Sequence, residues 1–144
     1  MIVLDTNVIS ELMKLKPSSR VFDWVSAQPS QALFTTAINQ AEILVGIELL
    51  PAGKRRQQLG RSAGEMFEQK FAERVLPFDS SAARRFAQIA IARRKSGRPI
   101  SQMGAQIAAI ARSHGVAVAT RNVADFLDCG IPVIDPWSVR GEPR

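Results

Sequence analysis

The sequence predicts an α/β fold in which helices cover both faces of a parallel sheet. Short apolar runs alternate along the chain with longer segments whose apolar residues recur every three or four positions. Such alternation is typical of parallel strands connected by helices. The chain has 144 residues, 46% of them hydrophobic, which fits a single domain over residues 1–144 with a buried core.

Five strands are predicted from the short apolar runs, and the first of them ends at an acid. The strands cover residues 2–4, 32–35, 75–78, 116–120 and 132–134. Asp5 follows the first run directly, and Thr6 and Asn7 come next. An acid at the carboxyl end of a buried parallel strand lies where open α/β sheets bind their ligands.

Helices are predicted between these strands. Two short helices begin near residues 8 and 21, and longer ones cover residues 38–49, 54–72, 81–95 and 101–114. Asp79 or Ser80 is suited to cap the helix that begins near residue 81, and Gly115 to end the last one.

The composition favours an anionic partner. The 19 Lys and Arg residues exceed the 13 Asp and Glu residues and give a net charge of +6, which suits nucleic acid or an acidic protein. Basic residues cluster at 54–56, 84–85 and 93–95, although solvated helix faces explain these clusters equally well.

No apolar run is long enough for a membrane span, no signal peptide is evident and Cys129 is the only cysteine, so a cytoplasmic protein is expected.

Missing motifs exclude several classes of enzyme. The glycine-rich signatures of dinucleotide and P-loop sites are absent, as is the G-x-S-x-G nucleophile motif. His114 is the only histidine, which excludes a histidine pair and disfavours a zinc site. Carboxylate chemistry remains, in which Mg²⁺ or Mn²⁺ held by oxygen ligands activates water and neutralises phosphate charge.

Three acids are candidates for such a site. Asp5 ends the first strand, Glu42 lies near the start of the helix 38–49, and Asp125 comes shortly after the fourth strand. Each has an ordinary alternative role: Asp5 as a helix cap, which is compatible with metal binding, Glu42 as a helix-boundary acid, and Asp125 as a loop or capping acid. Three further acids are interpreted as turn or cap residues: Asp79, Asp128 and Asp135.

Five short motifs surround these acids in a specific order. They are residues 4–11 (LDTNVISE), 97–101 (GRPIS), 107–111 (IAAIA), 120–126 (TRNVADF) and 130–137 (GIPVIDPW). Each fragment alone is weak, but together they span almost the whole chain. With Glu42, they resemble the PIN-domain ribonucleases, most of all the VapC and FitB toxins of bacterial type II toxin–antitoxin systems.

The resemblance implies a three-layer α/β/α sandwich around a central parallel sheet. It also implies RNA cleavage that depends on Mg²⁺ or Mn²⁺, a homodimer, and inhibition by a cognate antitoxin of the VapB or FitA type. Asp5 and Glu42 match the first two family acids, and Asn122 and Asp125 match the late acidic region, where Asn122 replaces an acid found in some members. The resemblance further implies RNA contacts for the polar residues around this site: Thr6, Asn7, Thr120 and Arg121. For Arg121, a solvated loop charge is the alternative.

The third acid of the family pattern is missing, and Gly104 stands at its position. Residue 104 falls in the first turn of a predicted helix, where glycine costs about 1 kcal/mol relative to alanine and no left-handed turn is needed. A packing role is the alternative, but a lost metal ligand is preferred. Removing one carboxylate is expected to weaken metal binding and nuclease activity, and to lessen repulsion among the remaining acids.

Two other functions are open at this point. The first is a non-catalytic binding module with the PIN fold, which keeps the surface for RNA or antitoxin but hydrolyses nothing. Gly104 and Asn122 favour it. The second is a PIN nuclease of RNA processing or DNA repair outside any toxin pair, which the short chain disfavours.

Overall fold

The computed structural model describes residues 1–138, in which five strands form one parallel sheet. The strands are β1 (Ile2–Leu4), β2 (Leu33–Thr36), β3 (Val75–Leu76), β4 (Ala117–Ala119) and β5 (Val133–Ile134). Their order is β3-β2-β1-β4-β5, and every neighbouring pair is parallel. The five predicted strands are thus confirmed, with ends that differ by one or two residues.

Six α-helices connect the strands in the described part of the chain. They are α1 (Thr6–Leu12), α2 (Ser19–Ser26), α3 (Ala37–Glu48), α4 (Lys54–Glu65), α5 (Ser80–Lys95) and α6 (Gln102–His114). Asp79 caps α5 by accepting from the Ala82 N–H at 2.9 Å, and Gly115 ends α6 with a left-handed φ of 66°. The predicted helix 54–72 is divided, because a wider helical turn over Met66–Lys70 follows α4. None of the helices within residues 1–138 has the length and apolar character to cross a membrane.

Two apolar cores lie on opposite faces of the sheet. Val3 of β1 belongs to the core that α5 and α6 complete, and Leu4 to the core completed by α1, α2, α3 and α4. Val118 and Ala119 of β4 divide in the same way. Because successive side chains point to opposite faces of a strand, each central strand contributes to both cores. The predicted three-layer α/β/α sandwich is therefore confirmed.

The strand order changes direction at β1, in the centre of the sheet. β2 and β3 extend the sheet on one side of β1, and β4 and β5 extend it on the other. In open α/β sheets, ligands bind beside the carboxyl ends of the strands at such a switch point. Asp5 directly follows β1 and Thr120 directly follows β4, so the topology brings both residues to this place.

One basic residue departs from the surface role predicted for its cluster. Arg93 of α5 is buried, with only 5% of its surface exposed. Its guanidinium donates to the backbone carbonyls of Asp125 and Leu127 at 2.8 and 2.9 Å. The neighbouring Arg94 and Lys95 are exposed, so only part of the cluster 93–95 faces solvent.

Candidate metal centre

Asp5 is held by hydrogen bonds from three parts of the chain. Its Oδ1 accepts from the Thr6 backbone N–H at 2.8 Å and from Asn39 Nδ2 at 3.0 Å, and its Oδ2 accepts from the Thr120 hydroxyl at 2.7 Å. The side chain is 6% exposed and also caps α1. Its orientation is therefore fixed, and the cap and a ligand role remain compatible.

Asn39 of α3 supports Asp5 and was not predicted from the sequence. It is fully buried, and its Nδ2 also donates to the Thr6 hydroxyl at 3.1 Å. Its Oδ1 accepts from the backbone N–H and the hydroxyl of Thr36 at 3.2 and 2.6 Å. The spacing from Thr36 to Asn39 is that of a capping box at the start of α3, which is the only sequence signal for this residue.

Glu42 lies near Asp5, and Thr6 connects the two carboxylates. The Thr6 hydroxyl donates to Glu42 Oε1 at 2.8 Å, while the backbone N–H of Thr6 donates to Asp5. Glu42 is half-buried, one helical turn after Asn39 on α3. The two acids that the sequence predicted to share a site are thus brought together.

Thr120 and Asn7 hold the segment after β4 against Asp5. The Thr120 hydroxyl accepts from Asn7 Nδ2 at 3.2 Å and from the Asn122 backbone N–H at 3.1 Å. Asn7 Oδ1 accepts from the Arg121 backbone N–H at 3.2 Å. Thr120 is fully buried and its hydroxyl donates to Asp5, so it helps to position that carboxylate, while its contact with RNA stays a prediction.

Burial raises the pKa of both carboxyl groups. Desolvation is the main cause for Asp5; hydrogen bonds, first among them that from Thr120, oppose it, and the charge of Asp125 adds to it. Desolvation also dominates for Glu42, where the hydrogen bond from Thr6 lowers the pKa and the charge of Asp5 raises it. Ionised acids in such surroundings are stabilised by a nearby cation.

The two carboxylates line one open pocket of about 500 Å³. The other lining residues come from α1, the segment after β4 and the last described turn: Thr6, Asn7, Ser10, Glu11, Lys14, Arg121, Asn122 and Trp137. Lys14 is paired with Glu11 at 2.9 Å. The pocket therefore places the exposed side chain of Arg121 on the same wall as Asp5 and Glu42, an arrangement that suits a metal ion beside a phosphate.

Three predicted site residues do not line this pocket, namely the buried Thr120, Asp125 and Gly104. Asp125 is exposed in the short helical turn Val123–Phe126, and it affects Asp5 only through its charge. Gly104 is the third residue of α6, where its N–H donates to the Ser101 hydroxyl at 3.1 Å. Within residues 1–138, no group of three or more Asp, Glu, His or Cys side chains is placed to hold a metal ion. Glu11 also lines the pocket, but its carboxylate accepts from Lys14 Nζ and the Ser18 N–H, so Asp5 and Glu42 are the two acids of the pocket left to bind a cation.

The donor set of this pair fits one hard divalent cation. Mg²⁺ prefers oxygen ligands and commonly binds through one or two carboxylates, with water completing its shell. Asp5 and Glu42 supply two carboxylates, and Asn122 lines the same pocket with an amide. A third acid would strengthen this set.

Replacing Asn39 with Ala is expected to lower the free energy of unfolding by about 2 kcal/mol, because the change removes the acceptor of the buried Thr36 N–H and hydroxyl and one of the three donors to Asp5. Urea denaturation measures the loss. Gln40→Ala, on the same helix, is the matched control, and its effect is expected to be small. Equal stability of Asn39→Ala and Gln40→Ala would show that the Asn39 hydrogen bonds do not support the fold.

Known proteins match the chain over nearly its full length. The sequence pattern of the PIN domain matches residues 2–128. VapC ribonuclease Y4jK from Sinorhizobium fredii is 44% identical over 138 residues, which cover 95% of this chain and 98% of that protein. Toxin FitB from Neisseria gonorrhoeae is 36% identical over 137 residues, covering 95% and 99%. The solved structure of FitAB bound to an IR36 DNA fragment gives a TM-score of 0.91 at 35% identity, with 99% of this chain and 100% of that chain covered.

Proposed function

Since the chain belongs to the PIN domain family, we propose that it is a metal-dependent endoribonuclease toxin of a type II toxin–antitoxin system, impaired by Gly104. The similarity to proteins named VapC ribonuclease and Toxin FitB supports this function. The observation that carries it is the pair of carboxylates, the buried Asp5 and the half-buried Glu42, joined through Thr6 in one open pocket. This pocket lies at the switch point of the sheet.

In this proposal the carboxylates bind Mg²⁺ or Mn²⁺, and polar neighbours orient them. When bound, the cation activates water and neutralises charge on the scissile phosphate. Asp5 is the central ligand because three donors fix its orientation. Glu42 and the amide of Asn122 complete the ligand set from the pocket wall. Asp125, on the exposed turn, orients water from outside the pocket.

The proposed partners are RNA and a cognate antitoxin of the VapB or FitA type. Thr6, Asn7 and Arg121 line the pocket and are the candidates for RNA contact. The net charge of +6 favours RNA as a polyanionic substrate. The antitoxin is proposed from the relatives: the solved FitAB structures are the reason to expect one here. A cytoplasmic location follows from this pairing.

A homodimer is the third proposed partnership, through the apolar surface of α3. The apolar residues Leu44, Ile47 and Leu50 could supply such a patch, although core packing explains them equally well from the sequence alone. Ile47 is buried in the core, which removes it from that patch, whereas Leu44 and its neighbour Val45 are 44% and 53% exposed. The exposed side chains on this helix are thus the candidates for the dimer contact.

A non-catalytic binding module is the second candidate function. In the described residues no group of three or more acids is placed to hold a metal ion, and this favours the module. Such a module would bind RNA or antitoxin without hydrolysis. Metal binding separates the two functions, because only the nuclease requires it.

Titration of the unmodified chain with Mn²⁺ in a calorimeter is expected to give weak but specific binding. Asp5→Asn should weaken this binding at least about tenfold, since it removes the charge of the central ligand. Asp23→Asn is the matched control, because Asp23 is an exposed acid on α2 outside the pocket, and its effect should be negligible. Identical titrations for all three proteins would contradict the proposed metal centre. Retained RNA or antitoxin binding without any Mn²⁺ binding would favour the module.

A further inference from the structure

The guanidinium of Arg121 lies over the ring of Trp137 at the edge of the pocket. The Arg121 Cζ atom is 5.0 Å from the ring centroid, a cation–π contact. Both residues line the pocket that contains Asp5 and Glu42. Trp137 belongs to the motif 130–137, but neither this contact nor a role for Trp137 at the site was predicted from the sequence.

Trp137 is anchored on its backbone and on its ring. Its N–H donates to Asp135 Oδ1 at 2.9 Å, and its carbonyl accepts from Arg20 Nη1 at 3.2 Å. The half-buried ring packs against the core that includes Leu4. The aromatic surface beneath Arg121 is therefore held in a fixed position.

Arg121 is exposed, and its charge is not used by an ion pair inside the described chain. Within residues 1–138 its guanidinium lies within 4.0 Å of no carboxylate. Its backbone is fixed, because its N–H donates to Asn7. The N–H groups of a guanidinium that rests on an aromatic ring stay available to an anion from outside. The position beside Asp5 and Glu42 suits the phosphate of a chain that crosses the pocket.

We propose that Arg121 and Trp137 form a metal-independent nucleotide subsite, in which Arg121 binds a backbone phosphate next to the scissile one. Trp137 is a positioning residue that holds the guanidinium in place. The ligand is single-stranded RNA, the substrate class of the proposed nuclease, since a guanidinium fork matches the oxygens of a backbone phosphate and the open pocket beside it gives room for a chain to cross. This subsite rests on the proposed nuclease function, but it acts in binding and not in the chemical step.

The test measures RNA binding while cleavage is prevented. Fluorescence anisotropy of a labelled single-stranded RNA in EDTA reports affinity for the unmodified chain and its variants. R121A should raise the dissociation constant about tenfold, the effect of losing a charge-assisted phosphate contact. R84A removes the same charge from an exposed position on α5 outside the pocket, and it should change affinity far less. W137L should weaken binding, whereas W137F, which keeps an aromatic face, should stay close to the unmodified chain.

The coupling between the two residues is the decisive readout. If Trp137 acts by positioning Arg121, the double variant R121A/W137L should bind RNA no more weakly than R121A alone. Additive losses, or equal losses for R121A and R84A, would overturn the subsite. The subsite would also be overturned if the unmodified chain did not bind RNA in EDTA. Unchanged RNA binding by R121A would overturn it too, and would instead assign the guanidinium to an acidic group of a protein partner. Because the assay contains no metal, absence of Mn²⁺ binding or cleavage would refute the nuclease and leave this result standing.

Discussion

Replacing Gly104 with Asp is expected to raise metal-dependent RNA cleavage by roughly a hundredfold, about 2.7 kcal/mol of transition-state free energy. Within residues 1–138, no group of three or more acids is placed to hold a cation, and Glu11 of the same pocket is paired with Lys14, so Asp5 and Glu42 act as a pair. A further carboxylate should hold the cation more tightly and in a more defined position. Cleavage of a labelled RNA with Mg²⁺ or Mn²⁺ measures the gain, and Mn²⁺ titration should show tighter binding in parallel.

The local structure admits this substitution at low cost. A Cβ at residue 104 would lie 2.9 Å from the Ser101 hydroxyl and 3.3 Å from Ile100 Cγ1. The Ser101 hydroxyl is the end of a short rotatable side chain, so it can move, although it now caps α6. An acid in the first turn of a helix is favoured by the helix dipole, which offsets part of any loss of the Ser101 cap. We therefore expect the free energy of unfolding to change by no more than about 1 kcal/mol.

Gly104→Asn is the matched control for this experiment. It adds nearly the same volume at the start of α6 but no charge. It should leave cleavage close to that of the unmodified chain. If Gly104→Asn and Gly104→Asp are equally active, or if the unmodified chain already cleaves as fast as Gly104→Asp, Gly104 is not a vacant ligand position.

The fold and the positions of Asp5 and Glu42 could be predicted from the sequence, because each depends on the order of neighbouring residues within one element. Alternating apolar runs fix the parallel sheet, and the carboxyl end of β1 fixes the place of Asp5. Glu42 lies near the start of a helix that follows β2, so the topology carries it toward the same end of the sheet. For Asp5 and Glu42, the place of the residue within its strand or helix determines which end of the sheet it reaches.

The roles of the residues that support the site could not be predicted from the sequence, because they depend on contacts between distant segments of the chain. Asn39 has the sequence pattern of a helix cap, and only the packing of α3 against α1 makes it a donor to Asp5. Trp137 and Arg121 meet through the course of the chain after β4. Arg93 belongs to a run of basic residues, and nothing in that run distinguishes the buried member from its exposed neighbours.

Replacing Arg93 with Met is expected to lower the free energy of unfolding by about 3 kcal/mol. Its guanidinium donates at 2.6 Å to the Arg98 carbonyl and at 2.8 and 2.9 Å to the carbonyls of Asp125 and Leu127. Methionine preserves much of the buried volume but none of these donors. Removing a buried charge recovers some desolvation energy, but three charge-assisted hydrogen bonds, each contributing about 1.5 kcal/mol or more, outweigh that gain.

The loss should be localised to the segment that Arg93 holds, and this distinguishes it from a general packing defect. Asp125 and Leu127 belong to the turn after β4, so hydrogen exchange should accelerate there more than in β1 or α3. Urea denaturation gives the total loss, and Arg94→Met, at the exposed neighbouring position, is the control for charge and helix propensity. Arg93→Lys should fall between the two, because an ammonium keeps the charge but lacks the fork of donors that reaches several carbonyls. If Arg93→Met and Arg94→Met are equally stable, the carbonyls of this turn do not need the guanidinium, and the turn is held by its packing through Phe126 instead.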